Sequence, residues 1–500
     1  MKSWSKIIAL ALVIVVLAAA FVLLKGGKPS TSGTTDAQAS STPTPTPTSN
    51  PDTVKPFDFK KVDIARILLK RDAGDIVLTQ AEKEVTTQTQ NSDGTTSTTT
   101  TPTKVWVTDK FNVETTVVDD VTYAVENATT KRLIEADPKD LSIYGLDQPI
   151  VATLYNADAK GETLKIGDKT PTGDSYYILR DGDKAVYTLE TYYAEKFTVG
   201  QLDLMSKDLY GRTDLTTGDM SDLTFYKGTE EIFASNAASS TVWKMNYPLE
   251  IEADSENITK FLQGLSGLKA TEIIELNPVD LKLYGLDKPQ YTFNYTLAGK
   301  PYVLKIGSLK SSRYYAMLDG MNYVFTIDST SMNYAELPFI NMVERLIYLP
   351  SIYETSKLTI EIDGRTDNLE MDISQTQTGT ESGTDKKPDV YVFNGQKIEG
   401  DTKQSLFRSY YQGAIGMMGD RIDLTAKPQG TPFAKLTYTN KADGKTTVVT
   451  LIPTPDEYGY YLMKNDTFTG LVMLKSYLDD KDLGIRTFYN NFINGLSVQN

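Results

Sequence analysis

Hydrophobic positions change period several times along the chain. The first pattern is Ile7 to Leu24, 18 residues without a charge. At 1.5 Å rise per residue this run makes about 27 Å of helix, close to one hydrocarbon core. It predicts a single transmembrane helix over residues 7–24. Ala18-Ala19-Ala20 offers a small-residue cleavage site, but the apolar run continues through Leu24, which favours an uncleaved signal anchor. Lys2 and Lys6 before the run are matched by Lys25 and Lys28 after it, so flanking charge does not orient it. The stub of residues 1–6 reads as cytoplasmic and everything after the anchor as extracytoplasmic. Residues 25–55 are mostly Ser, Thr, Pro and Gly, including Thr42-Pro43-Thr44-Pro45-Thr46-Pro47-Thr48. Such a stretch has no core to bury and predicts a disordered tether, extended at about 3.1 Å per residue.

Beyond Phe57 the period drops to two. Ile64 to Lys70 and Ile76-Val77-Leu78 predict a hairpin whose loop contains Gly74. A Thr, Gln and Ser patch from Thr86 to Thr103 reads as a low-complexity insertion at a hairpin tip, followed by the strand Val105-Trp106-Val107. Helical spacing of Val121, Ala124 and Val125 predicts a helix over Val118–Glu126. Strands follow at Val151–Tyr155, Thr163–Ile166, Ser175–Leu179 and Ala185–Leu189, then a helix holding Tyr193-Ala194-Glu195. The order then recurs. Leu223–Tyr226 and Glu231-Ile232-Phe233 open a second unit, and Val242-Trp243-Lys244 matches the tryptophan strand. A helix from Asn257 through Leu268, capped by Ser255 or Asn257, precedes strands at Leu304–Ile306, Tyr314-Tyr315-Ala316 and Tyr323–Thr326, and Tyr334-Ala335-Glu336 closes the unit. A third, degraded pass runs from Leu358–Ile362 through a polar run at 375–387, Val390–Phe393, a helix around 402–416 and strands at Lys435–Tyr438, Val448–Ile452 and Tyr460-Tyr461-Leu462. The expected fold class is therefore α+β: an anchor and tether, then three repeated units of twisted, mostly antiparallel sheet with packed helices. Their limits are 56–211, 212–350 and a divergent 351–500.

One motif ties the first two units together. Tyr144-Gly145-Leu146-Asp147-Gln148-Pro149 returns as Tyr284-Gly285-Leu286-Asp287-Lys288-Pro289. Each copy follows Asp137-Pro138 or Asn277-Pro278 and precedes the same Leu-Lys-Ile-Gly, at Leu164–Gly167 and Leu304–Gly307. Glycine permits positive φ where a helix ends, aspartate can bond its own backbone, and proline forces an extended entry to the next strand. The motif reads as a structural hinge, with Tyr and Leu packed on the sheet. The competing reading makes Asp147 and Asp287 a catalytic acid pair or a cation site, but paired acids must face each other across a substrate, and these lie in separate units. The third unit keeps only Ile422-Asp423-Leu424 and Pro428 in this region.

Composition narrows the chemistry further. There are 65 acidic and 51 basic residues, a formal charge of −14, which repels phosphate backbones and excludes nucleic acid as an expected partner. Cys and His are both absent, so no disulfide, thiolate or imidazole metal site, or histidine-dependent nucleophile can form. Asp181-Gly182-Asp183 lacks the surrounding ligand pattern of a calcium loop and reads as a hairpin turn. Gly413–Gly419 is followed by Asp420-Arg421, not the Lys-Ser/Thr of a phosphate loop. No cofactor is expected. Tyrosine pairs (Tyr176-Tyr177, Tyr192-Tyr193, Tyr314-Tyr315, Tyr410-Tyr411, Tyr460-Tyr461) suggest sugar stacking, but on strands one of each pair should point inward and the other outward.

The motif series resembles the bacterial domain-of-unknown-function 4340 family, over roughly Val62–Leu204 and again Leu223–Tyr348. The resemblance implies a bacterial envelope protein, in a family associated with ABC-type transport and gliding-type auxiliary proteins. It supplies no catalytic residue. The expected role is a membrane-anchored, non-enzymatic accessory or scaffold for a transporter or surface assembly. The other classes are a glycan or cell-wall binder using tyrosines and a carboxylate-based glycan hydrolase.

Overall fold

A computed structural model describes residues 53–90, 96–212, 214–239, 241–373 and 389–497. The expected anchor at Ile7 to Leu24, the tether up to residue 52 and the third unit's polar run lie outside the described residues. Among the described residues no helix is long and apolar enough to cross a membrane.

The chain is mostly β, with three antiparallel sheets and a few helices. The first sheet contains β1 (Arg66–Lys70), β2 (Ile76–Gln90), β3 (Thr96–Val107), β4 (Thr130–Glu135), β5 (Ile150–Tyr155), β6 (Gly161–Lys169), β7 (Ser175–Arg180) and β8 (Val186–Glu190). Its spatial order is β3-β2-β1-β5-β6-β7-β8-β4. The chain thus lays down a three-stranded meander, crosses by helix α1 (Thr115–Asn127) to the far edge, and returns to pair β5 against β1. Val118, Val121, Ala124 and Val125 of α1 are buried, the helical stripe facing the sheet. Short helices α2 (Thr191–Phe197) and α3 (Gln201–Leu204) close the unit.

The second sheet repeats this plan with β9 (Met220–Lys227), β10 (Glu230–Ala237), β11 (Trp243–Tyr247), β12 (Ile251–Glu252), α4 (Ser255–Ser266), β13 (Glu272–Leu276), β14 (Tyr291–Leu297), β15 (Lys300–Lys310), β16 (Arg313–Leu318) and β17 (Tyr323–Asp328). Its order, β12-β11-β10-β9-β14-β15-β16-β17-β13, adds one short strand at the near edge. Alternation is cleanest on β14, where Tyr291, Phe293, Tyr295 and Leu297 are buried. The rings of Phe225, Phe233 and Phe261 meet at centroid distances of 5.2–5.7 Å and fix α4 on the sheet. The N-cap is Asp254, whose side chain accepts from Asn257 N at 2.8 Å, not the expected Ser255 or Asn257. Ser255 is the first helical residue, and Asn257 supplies the backbone donor.

The third sheet holds β18 (Thr355–Ile362), β19 (Arg365–Asp372), β20 (Val390–Phe393), β21 (Gln396–Lys397), α5 (Asp401–Ile415), β22 (Arg421–Ile422), β23 (Ala434–Asn440), β24 (Thr446–Pro453), β25 (Gly459–Lys464) and β26 (Thr467–Leu474). Its order, β21-β20-β19-β18-β23-β24-β25-β26-β22, is the second sheet's order strand for strand. The degraded unit is a true topological repeat. It adds a C-terminal helix, α6 (Ile485–Ser497), which packs on α5 through Phe492. Arg486 at its start chelates Asp363 at 2.7 and 2.9 Å and reaches Asp479 at 3.1 Å.

Several readings change. The threonine patch does lie at the far end of a hairpin, but its flanks are strand: β2 and β3 stay paired from Thr79↔Val107 to Gln90↔Thr96. Strands β4, β12, β13, β14, β19, β21, β22 and β26 and helices α3 and α6 carried no sequence expectation. Three of them (β4, β13, β22) are far-edge strands, short and charged, as edges often are. The Asp181-Gly182-Asp183 turn is a hairpin turn, with Gly182 at φ 70° and Asp183 accepting from Ala185 N. The second and third units also share one continuous buried core, while the first has its own.

Candidate functional site

The repeated motif forms the same structure twice. A 3-10 turn at Ser142–Tyr144 ends in Gly145 at φ 66°, and its counterpart at Leu281–Tyr284 ends in Gly285 at φ 68°. Leu146 N donates to Leu141 O and Gly145 N to Ser142 O, with Leu286 to Leu281 and Gly285 to Lys282 alike. This crossed pair of bonds is the Schellman arrangement, which needs a left-handed residue and so selects glycine. The aspartates that bond nearby backbone are Asp140, to Ser142 N at 2.9 Å, and Asp280, to Lys282 N at 3.0 Å. Asp147 and Asp287 are exposed in the turns of separate units. Pro149 and Pro289 are half-buried just ahead of β5 and β14.

The second repeated motif belongs to the same contact. A Cβ at Gly167 would stand 2.1 Å from the Tyr144 carbonyl oxygen, and one at Gly307 the same 2.1 Å from that of Tyr284. The hinge backbone presses directly on β6 or β15, and only glycine admits it. Tyr144 Oη donates to Glu135 Oε2 at 2.7 Å and Tyr284 Oη to Glu275 Oε2 at 2.7 Å, tying each hinge to its far-edge strand. The rings lie edge-on to Tyr177 and Tyr315, at 5.0 Å in both units. Bonding to a carboxylate, with some loss of hydration, pushes both phenols up to about 12.

The tyrosine pairs divide between helices and strands. Tyr410 and Tyr411 sit on α5, not on a strand, and both are buried. Tyr410 donates to the buried Asp367 at 2.8 Å, and Tyr411 to the Pro350 carbonyl at 3.0 Å. Tyr192-Tyr193 is also helical, with Tyr192 exposed. The strand pairs are core or half-buried packing.

A feature that no single motif announced lies between units. The connector after the first sheet pairs twice: Met205 bridges Val113 of its own unit, then Asp208 bridges Lys269 of the next. The connector after the second sheet does the same, Val343 to Ala253 and Leu346 to Met418. Tyr210 then enters the second unit, donating to Leu265 O and sharing a 2.7 Å bond with Tyr295 Oη. Its counterpart Tyr348 stacks edge-on against Tyr438, whose hydroxyl bonds Ala414 O.

Each junction leaves a cleft built from equivalent parts: the chain after the tryptophan strand, the connector, and the last hairpin turn of the following unit. Between the first and second units it measures about 390 Å³ and is lined by Lys110, Asn112, Asp208, Asn277 and Asn322 among others. Between the second and third it measures about 670 Å³, with Lys244, Asn246, Glu252, Glu344, Lys464 and Phe468 on its walls. At its rim Leu249 lies on Gly470, where a Cβ would sit 2.7 Å from the leucine. Charged residues of both signs and apolar residues such as Leu249, Ile251 and Leu346 line it together. No group of three metal-ligating side chains occurs among the described residues. These residues carry no motif, and the only signal in the sequence was the repeat itself.

The family model for Domain of unknown function (DUF4340) matches twice, over residues 106–242 and 243–404. Each match opens on a tryptophan, Trp106 or Trp243, so the family's period equals the sheet period but its phase begins inside the meander. The second match runs into α5, beyond Tyr348 and into the third unit, on which the resemblance was weaker. No curated protein and no solved structure matches the chain. The chain belongs to the DUF4340 family.

Proposed function

We propose that this DUF4340 member is a membrane-anchored, extracytoplasmic and non-enzymatic scaffold serving a transporter. The repeated junction carries the reading. Each connector is clamped by backbone bridges to the unit before and the unit after, so successive sheets are held in one arrangement and the two clefts recur in register. A device that must hold partner segments at fixed spacing is built this way, whereas a carboxylate-based glycan hydrolase needs one cleft in which two acids converge. The apolar run at Ile7 to Leu24 and the Ser/Thr/Pro tether after it would hold the three units off the membrane surface.

Affinity isolation of the full chain from solubilised membranes tests this. The expected result is co-purification of transporter permease and ATPase subunits, reduced at least tenfold by Asn246→Trp in the larger cleft. Recovery of the chain without a membrane transport component, or its release in the soluble fraction, overturns the reading.

A further inference from the structure

The chain enters the first sheet in the register in which the connectors enter the other two. Ahead of the second sheet Lys207 O accepts from Ala270 N, two residues before β13. Ahead of the third, Arg345 O accepts from Gly419 N, two residues before β22. Ahead of the first, Val54 O accepts from Thr130 N at 2.8 Å. Thr130 and Ala270 hold equivalent positions: two residues on, Arg132 pairs with Thr188 of β8 and Glu272 with Thr326 of β17. The residues after each acceptor agree as well. Two places on, Pro56, Leu209 and Ile347 are buried, and three places on stand the rings of Phe57, Tyr210 and Tyr348.

The lead-in is therefore a strap laid across the first unit. Val54 N donates to Thr130 Oγ1 at 2.8 Å, so the two residues share two bonds. Lys55 Nζ reaches the Glu126 carbonyl near the end of α1 at 2.9 Å. The Phe57 ring is 1% exposed and lies 5.3 Å from that of Phe197 in α2. Asp58 N donates to Glu162 of β6 at 2.7 Å, and Arg180 of β7 donates to Asp58 Oδ1 at 3.1 Å. Residues 54–58 supply no strand to the sheet, so their leaving breaks none of its ladders. The bonds of Lys55 and Asp58 lie at the surface, where water replaces them at little cost. What holds the strap is the Val54–Thr130 pair and the burial of Pro56 and Phe57. An element fixed so narrowly opens at a lower free energy than the sheet beneath it.

We propose that Val54–Asp58 is a releasable strap with Phe57 as its lock, opening and closing while the first sheet stays folded. Closed, it holds the chain at Val54 against the start of β4. Open, it frees residues 54–60, which at about 3.3 Å per residue add roughly 20 Å of reach ahead of the unit. The strap works the same way whether or not a transporter is the partner.

Hydrogen exchange of the full chain, purified in detergent and resolved to single amides by mass spectrometry, tests this. In the native chain the Val54 and Thr130 amides should be protected, yet exchange faster than the amides of β6. Phe57→Ala should speed both about a hundredfold, leaving β6 and the connector-held Ala270 and Gly419 amides unchanged. Should that variant unfold the first unit, Thr130→Val keeps the side-chain shape and removes the acceptor of Val54 N. It is expected to speed the same two amides about fivefold. Unprotected Val54 and Thr130 amides in the native chain, exchange at the pace of β6, or protection that survives both variants would overturn the proposal.

Discussion

The second and third units share a strand order but not a hinge, and the difference separates what builds the sheet from what tunes it. In the second unit Gly307 follows Ile306, which pairs with Tyr291, and the Tyr284 carbonyl presses on that glycine. In the third unit the ladder position of Ile306 belongs to Leu451, paired with Ala434, and the next residue is Ile452. There the chain replaces the hinge by Asp423, which accepts from Thr425 N, Thr425 Oγ1 and Ala426 N. With no carbonyl pressing on the strand, a buried side chain takes the glycine's place. Strand order thus survives loss of the signature because alternation on β18 and β23 carries it, through Leu358, Ile360, Ile362, Leu436 and Tyr438.

This contrast can be broken from both sides. Gly307→Ala should have the largest effect, about 3 kcal/mol of destabilisation, since a backbone carbonyl cannot yield as a side chain can. Gly167→Ala should behave alike in the first unit, and urea unfolding of each variant checks the pair. At the matching third-unit position, Ile452→Ala should cost about 2 kcal/mol for the opposite reason, an emptied site instead of a filled one. If Gly307→Ala proves harmless, the contact does not explain why the two motifs travel together.

Smaller effects sharpen the comparison. Tyr284→Phe removes a hydrogen bond to a half-exposed carboxylate and should cost roughly 1 kcal/mol. Its pH signature is more diagnostic. Folding raises the Tyr284 phenol to about 12, so the stabilisation is present below the unfolded value near 10 and fades as pH rises to 12. The wild-type chain should lose stability across that window more steeply than a Tyr144→Phe, Tyr284→Phe double variant, read from melting temperature against pH. Asp423→Ala should be the mildest, about 1 kcal/mol or less, with faster amide exchange confined to Thr425 and Ala426.

Legibility followed local physics. The strands of the two central meanders were readable because one face is buried, and period two then has to appear in the residues. The far-edge strands β4 and β13 escaped because Lys131, Arg132, Glu272 and Glu275 break that alternation, as edges require. The threonine patch was placed at the right hairpin end but read as a low-complexity insertion, because composition alone does not separate an uncharged β-branched strand from one. The Asp254 cap was passed over for its neighbours because three adjacent residues all have capping side chains and only backbone geometry chooses among them. The clefts were invisible for a further reason: their walls come from segments more than 100 residues apart, and neither wall has a pattern of its own.

By itself the sequence determined the number of units, their period and the hinge. Each of these depends on neighbours within a few residues: alternation, a left-handed glycine, a proline that starts a strand. Tertiary structure alone decided that Gly167 and Gly307 exist to admit a carbonyl. It also decided that the third unit keeps the shared strand order and that the connectors clamp successive units. These rest on contacts between distant segments, where the energy comes from close approach and burial, and neither is written in any one stretch of chain.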